Sequence, residues 1–366
     1  MKNPKIVFLG RYNQSEILSG PEKVAKRIFF EHTKVNSSVF IEYFFDGNKY
    51  GVFKKLFGSE KVTEINSSPV LKKGIFSLLK FLFFNKPDVI HIITYERFCI
   101  TAVLYKFFSG VKIIYNVHGI VAYENSILRD TKTMYIKKDE FAESKFFKYS
   151  DVYIFLSDQS IQAAENYYQI TESKIRMVPN GIDRDFHKVI QPVKDLKKEF
   201  KIVFSGDPVR KEKGFDLIKE VFYELNFPFR LYLLSNQKIH NEDFIIYLKP
   251  MDTVKFSEFL SESDIVISAA GYEPFSMTVT EAMSSGAVPV VSQETGMSRY
   301  IRENENGFIF NTKNPDELRS ILTKIYNDPE LHFHISQNAK KIYDQLNWEI
   351  VYNDYKNIYT KLFPLK

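Results

Sequence analysis

Two carboxylates eight residues apart, Glu273 and Glu281, stand in the segment GYEPFSMTVTEAMSSGAVPVV at 271–291. The apolar run DIVISA (264–269) just before it reads as a strand, and the residues after Ser276 read as a helix. Glu273 then precedes the helix start and Glu281 lies inside it. Phe275, Ser276 and Met277 form the first turn, where the backbone N–H groups have no intrahelical acceptor and can receive phosphate or sugar oxygens. Carboxylates suit sugar hydroxyls because each accepts two hydrogen bonds at once. Gly286 ends the helix and Pro289 enters the next strand. Taken alone, the pair would be a cap and a solvated helix residue. Its place after a strand end, where ligands of parallel α/β sheets collect, favours ligand binding.

Gly20 lies in a polar loop ahead of a helical pattern, where a residue without Cβ lets backbone approach a phosphate closely. His118 ends the run KIIYNV and is followed by Gly119, which places it at the carboxyl end of a strand. The histidines at 32, 91, 187, 240, 332 and 334 form no metal set, and the single cysteine, Cys99, lies in an apolar run. No metal site is expected.

The elements that must hold these residues alternate. Strand-length apolar runs at 5–10, 38–45, 88–94, 112–119, 151–157 and 174–181 are separated by helical patterns at 21–33, 71–85, 97–109, 135–148 and 158–168. Strands apolar on both faces, with helices between them, predict a parallel sheet covered on both sides. The pattern restarts with runs at 201–206, 230–235, 243–248, 264–269, 288–292 and 307–311, and from 314 onward it reads as helix. The joint falls near PNGIDRDF (179–186). The expected fold class is α/β: two Rossmann-like doubly wound parallel-sheet domains facing a cleft, at 1–183 and 184–345. A last segment, 346–366, carries a C-terminal helix over 347–362.

The sequence resembles the family 4 retaining glycosyltransferases of the GT-B fold. The resemblance is carried by a Glu, seven residues, a second Glu, then Ala-Met, Gly and Pro-Val, and extends to SGPEKVAKRIF (19–29), NVHG (116–119), SDVYIFLSDQS (150–160), VPNGID (178–183), SGDPVRKEKGFDLI (205–218) and NWEIVYNDY (347–355). It implies that Glu281 binds the nucleotide ribose and that Glu273 lies near the donor sugar and leaving diphosphate. It implies that Lys213 and Arg210, with Lys211 as a rival, neutralise that diphosphate, that His118 lies near the donor sugar, and that the last helix folds back onto the first domain. Three departures stand out. The family's Gly-Phe-Gly is Pro274-Phe275-Ser276, the Arg expected after Gly206 is Asp207, and the usual Gly pair is Ser19-Gly20-Pro21. By resemblance, a sugar passes with retention from a UDP- or GDP-sugar, a substrate rather than a cofactor, to a glycan or lipid-linked acceptor in cell-surface polysaccharide synthesis. No metal takes part. A non-catalytic sugar-nucleotide-binding subunit, or a hydrolase or epimerase of the same fold, remains the alternative.

The chain has 366 residues, enough for two cores, and 44% apolar residues to fill them. One cysteine allows no internal disulfide and fits a reducing compartment. With no signal-like start and no span-length apolar run, a cytoplasmic enzyme is expected, peripheral on the inner face of the cell membrane if it is attached at all. Residues 1–183 hold 26 Lys and Arg against 19 Asp and Glu, a net of +7, whereas the remainder holds 24 against 26, a net of −2. The basic half suggests an anionic surface as partner, a membrane before nucleic acid, because no nucleic-acid-reading pattern is present. Lys54, Lys55, Lys72, Lys73 and Lys80 stand among Phe and Leu in FKKLFG (53–58) and LKKGIFSLLKFLFFNK (71–86). Those stretches are the expected contact, through weak and salt-sensitive attachment.

Overall fold

The computed structural model describes residues 4–15, 18–45, 50–128, 134–187, 199–235, 238 and 241–362; the histidine at 240 lies outside them. The chain divides into two compact units, one comprising residues 1–179 with 348–366 and the other residues 180–347. Asn180–Asp183 go with the second unit, where the Ile182 N–H donates to the Leu346 carbonyl at 2.7 Å.

The first unit is built on eight strands: β1 (Ile6–Leu9), β2 (Val39–Glu42), β3 (Ser59–Ile65), β4 (Ser68–Lys73), β5 (Val89–Ile92), β6 (Lys112–Val117), β7 (Val152–Phe155) and β8 (Ile175–Met177). Their order is β3-β4-β2-β1-β5-β6-β7-β8. Neighbours are parallel except β3 and β4, an antiparallel hairpin. β1, β5 and β7 are buried along their whole length, as strands covered by helices on both faces must be.

The hairpin corrects the sequence reading. Residues 71–73 belong to β4, and the helix expected over 71–85 begins only at Ile75, with Gly74 as its extended N-cap. Lys72 reaches Glu42 at 3.4 Å, and Lys73 is buried with its ammonium 2.8 Å from Ser59 Oγ. Neither is a free surface cation.

The second unit is a six-stranded, fully parallel sheet of β9 (Phe200–Phe204), β10 (Phe229–Leu234), β11 (Ile245–Leu248), β12 (Ile265–Ser268), β13 (Val288–Ser292) and β14 (Phe308–Phe310). The order β11-β10-β9-β12-β13-β14 runs outward from β9 in one direction and then from β12 in the other. The topological switch point therefore lies between β9 and β12, and ligands of open parallel sheets bind beyond the carboxyl ends of such a pair. The core beneath includes Phe200, Ile202, Phe204, Ile265, Ile267, Val288 and Val290.

The last helix, Trp348–Leu362, packs on the first unit against the helix Gly20–Thr33. Trp348, Val351, Tyr352, Tyr355, Ile358 and Tyr359 are its buried residues, and three of these tyrosines meet polar groups. Tyr359 Oη lies 2.8 Å from His91 Nδ1, and His91 Nε2 lies 2.9 Å from Asn116 Oδ1. Asn116 Nδ2 donates to Tyr355 Oη at 2.9 Å, and Tyr352 Oη lies 2.8 Å from His32 Nδ1. Since the Asn116 amide nitrogen is committed to Tyr355, its oxygen accepts from His91 Nε2–H, so His91 is the neutral tautomer that accepts the Tyr359 proton at Nδ1. Among the described residues no helix is long and apolar enough to cross a membrane.

Candidate active site

Two loops meet at the β9/β12 switch point. The first, Ser205–Gly214, leaves β9; the second, Ala269–Ser276, leaves β12 and leads into the helix Met277–Ser285. Three contacts tie them together. Gly271 N–H donates to the Glu212 carbonyl at 2.8 Å, Ser205 Oγ lies 2.9 Å from Ser276 Oγ, and Lys213 Nζ donates to Glu273 Oε2 at 2.7 Å. Two of the expected site residues, 60 positions apart, are thus an ion pair whose side chains keep 12% and 18% of their surface. Such a pair is largely desolvated on the protein side yet reachable from solvent.

Local backbone explains why these residue types stand here. Gly214 has φ +72°, and a Cβ there would collide with the Ala269 carbonyl oxygen at the end of β12, so only Gly lets the two loops approach. At Gly206 a Cβ would lie 3.0 Å from Lys213 Cβ, so the bare backbone leaves room for the lysine stem. Ser276 has φ +76°, the left-handed conformation at which the resemblance expects Gly. Its Oγ accepts from Val279 N–H at 3.3 Å while meeting Ser205, which offsets the strain with two hydrogen bonds.

Glu281 is 2% exposed, on the inner side of its helix. A solvated helix residue it is not; a carboxylate withdrawn this far costs free energy unless polar groups surround it. Phe275 and Ser276 are buried, whereas Met277 is partly exposed at the first helical position. Its N–H and that of Thr278 are the orphan donors of that turn. Arg210 pairs with Glu212, and Lys211 is exposed.

Beside this turn lies a recess of about 620 Å³ lined by Phe204, Gly206, Asp207, Leu234, Pro250 and Thr278, among others. Its size suits a small ligand. Sequence reasoning missed it, because its wall combines three strand ends far apart in sequence. It also missed Ser205 and the β13 loop, whose Glu294 carbonyl accepts from Glu273 N–H at 3.2 Å and whose Gly296 N–H donates to the Glu273 carbonyl at 2.7 Å. The one available signal was their position just past a strand.

Gly20 and His118 belong to the first unit. Gly20 opens its helix, and the N-cap before it is tied back to the first turn: Glu22 Oε2 accepts from Ser19 N–H and Ser19 Oγ–H, both at 2.9 Å. His118 Nε2 donates to the Ile93 carbonyl at 2.8 Å, and its desolvated setting pushes its pKa down to about 4, so the ring is neutral at pH 7. Near the carboxyl ends of β1 and β5, Arg11 Nε lies 3.0 Å from Glu96, whose carboxyl burial pushes up to about 7, and Asn13 Nδ2 donates to Glu22 at 3.2 Å. Among the described residues no group of three or more His, Cys, Asp or Glu side chains is arranged to hold a metal ion.

Residues 184–342 match the model of the group 1 glycosyl transferases, and residues 61–186 that of glycosyltransferase family 4. The chain belongs to the family 4 glycosyltransferases of the GT-B fold. An uncharacterised glycosyltransferase of Methanocaldococcus jannaschii is 31% identical over 109 residues, 30% of this chain, and the match spans 27% of that protein's length. The glycogen synthase of Fusobacterium nucleatum is 24% identical over 76% of this chain and 72% of its own. In fold, this glycosyltransferase is similar to the Anabaena protein HepE, solved with UDP and glucose, with a TM-score of 0.74 at 16% identity, covering 98% of this chain and 100% of that one.

Proposed function

We propose that this glycosyltransferase takes its sugar from a nucleotide diphosphate donor bound at the β9/β12 switch point, and transfers it with retention to a glycan or lipid-linked acceptor. The observation that carries the reading is the Lys213–Glu273 pair, which joins a cation and a carboxylate from two loops at the place where a parallel sheet binds ligands. HepE, with the same fold, was solved with UDP and glucose, which supports a uridine nucleotide.

In this reading the base enters the recess beside Phe204, Leu234 and Pro250, and Glu281 takes the ribose hydroxyls. The diphosphate draws Lys213 away from Glu273, with Arg210 alongside and the Met277 and Thr278 N–H groups beneath. Glu273, so released, accepts from hydroxyls of the donor sugar. The bond between the anomeric carbon and the diphosphate oxygen breaks, and the electron pair leaves with the diphosphate. The acceptor oxygen bonds to the same face of that carbon, and its proton passes to the departing phosphate oxygen. Lys213 and Arg210 stabilise the charge as it develops, the largest service a preorganised site offers. Acceptor hydroxyls would meet Arg11, Asn13, Glu22 and Glu96 of the first unit.

Incubation with UDP- and GDP-sugars in EDTA, followed by proton NMR, tests this. The expected product keeps the anomeric configuration of the donor and forms at an undiminished rate. An inverted product, or transfer that stops in EDTA and resumes with magnesium or manganese, would contradict it.

A further inference from the structure

Three helices of the first unit, Val52–Phe57, Ile75–Asn85 and Ile100–Ser109, pack side by side and leave large apolar side chains in solvent. On the middle helix Leu78 and Leu82 are buried, while Phe76, Lys80, Phe83 and Phe84 are exposed at helical spacing, so the outward stripe is aromatic. Phe53, Phe57 and Phe76 form a run of ring contacts at 5.2 and 5.1 Å, and Phe83 meets Phe108 at 6.2 Å. Phe84 and Phe108 are 77% and 78% exposed. Exposed apolar side chains occurring singly need no explanation; two groups of touching rings on three adjoining helices mark an interaction surface.

Its chemistry selects the occupant. The three helices contain Lys54, Lys55, Lys80 and Lys106 and not one Asp or Glu. Lys54 pairs with Glu60 and Lys106 with Asp151, on neighbouring elements. Lys80 rides over the Phe84 ring at 5.9 Å, and among the described residues neither it nor the exposed Lys86 makes an ion pair. A second copy of this face would set like charge against like. Protein interfaces are depleted in Lys, whereas the exposed set here carries Lys among its Phe, Leu and Val. Phe and Leu beneath a rim of Lys suit the boundary between headgroups and acyl chains of an anionic bilayer.

We propose that this three-helix face docks the chain on an anionic lipid surface by inserting Phe53, Phe57, Phe76, Phe83, Phe84 and Phe108 into the boundary region. The inserted rings supply most of the affinity, because several of the lysines are already neutralised within the fold. Attachment therefore survives salt better than lysine-driven attachment would. The surface belongs to the first unit and the proposed donor site to the second, so donor binding is a separate readout.

Flotation of the full chain with vesicles of phosphatidylcholine containing phosphatidylglycerol, and with phosphatidylcholine alone, tests this. Both are run at about 0.1 M and about 1 M salt, where the screening length falls from roughly 10 to 3 Å. The expected result is flotation with the anionic vesicles, with a substantial fraction retained at high salt. The double variant Phe84→Ser/Phe108→Ser, which adds no charge, should bind about tenfold more weakly or less well still, with its circular dichroism and nucleotide-sugar binding unchanged. No flotation with anionic vesicles at low salt overturns the proposal, as does undiminished flotation of a folded double variant. Concentration-dependent dimerisation in sedimentation that the same variant abolishes, without flotation of the wild type, would assign the face to a second copy and overturn it equally.

Discussion

Ser276 occupies a backbone position that suits glycine, and its side chain holds it there. At φ +76° a non-glycine residue carries about 1–2 kcal/mol of strain. The hydrogen bonds to Val279 N–H and Ser205 Oγ each return about 0.5–1.5 kcal/mol. Ser276→Gly removes strain and bonds together and should change stability by less than about 1 kcal/mol. Ser276→Ala keeps the strain, loses both bonds and leaves Ser205 Oγ buried without its partner, so it should cost about 1–3 kcal/mol. Urea unfolding of the wild type and the two variants checks this: an alanine variant as stable as the wild type would show that the hydroxyl has no capping role, and one as stable as the glycine variant would show that the position carries no strain. The residue types at this site were legible from spacing alone: the two glutamates after a strand, the lysine before a glycine. The partnership of Lys213 with Glu273 was not, since it depends on β9 and β12 being neighbours in the sheet although β10 and β11 separate them in the chain.

At the scale of elements, the last helix is fastened by a buried polar network rather than by apolar contact alone. His32 and His91 have their pKa values pushed down to about 4 and about 3, by desolvation before any other cause. Both values lie below the ordinary histidine value near 6.5, so the neutral ring is the folded form. The stability that rests on it is complete above about pH 6.5 and is lost as the pH falls toward 4 and below. Glu96 and Glu143, each pushed up to about 7 by burial, act in the opposite sense, losing stability as the pH rises through that value. The histidine contribution is therefore read from imidazole NMR signals, which should stay at their neutral positions down to about pH 5. Tyr359→Phe leaves His91 Nδ1 buried without a donor and should cost about 1–3 kcal/mol; an unchanged melting temperature would argue that water replaces the hydroxyl. Most strands were legible from apolar runs, whereas the β3–β4 hairpin was not. Its turn, Asn66-Ser67, has both residues at positive φ but lacks the glycine that usually announces such a turn. Lys72 and Lys73 were accordingly read as the start of a helix.

At the scale of the whole molecule, two doubly wound sheets share one chain, and the charge is divided unequally between its halves, +7 against −2. That division fits the two proposals, an anionic surface as partner of the lysine-bearing half and a donor held by a few focused cations in the other. The central claim is the donor site at the β9/β12 switch point. Calorimetric titration of the wild-type chain and of Lys213→Met and Glu281→Gln with UDP-, GDP- and ADP-sugars tests it most directly, with folding of each variant verified by circular dichroism. The account predicts that a UDP- or GDP-sugar binds the wild type and that each folded variant binds it about tenfold more weakly or worse, the loss expected when a charge-assisted contact is removed. Wild-type affinity retained by both variants, or no binding of any nucleotide sugar to the wild type, would contradict it.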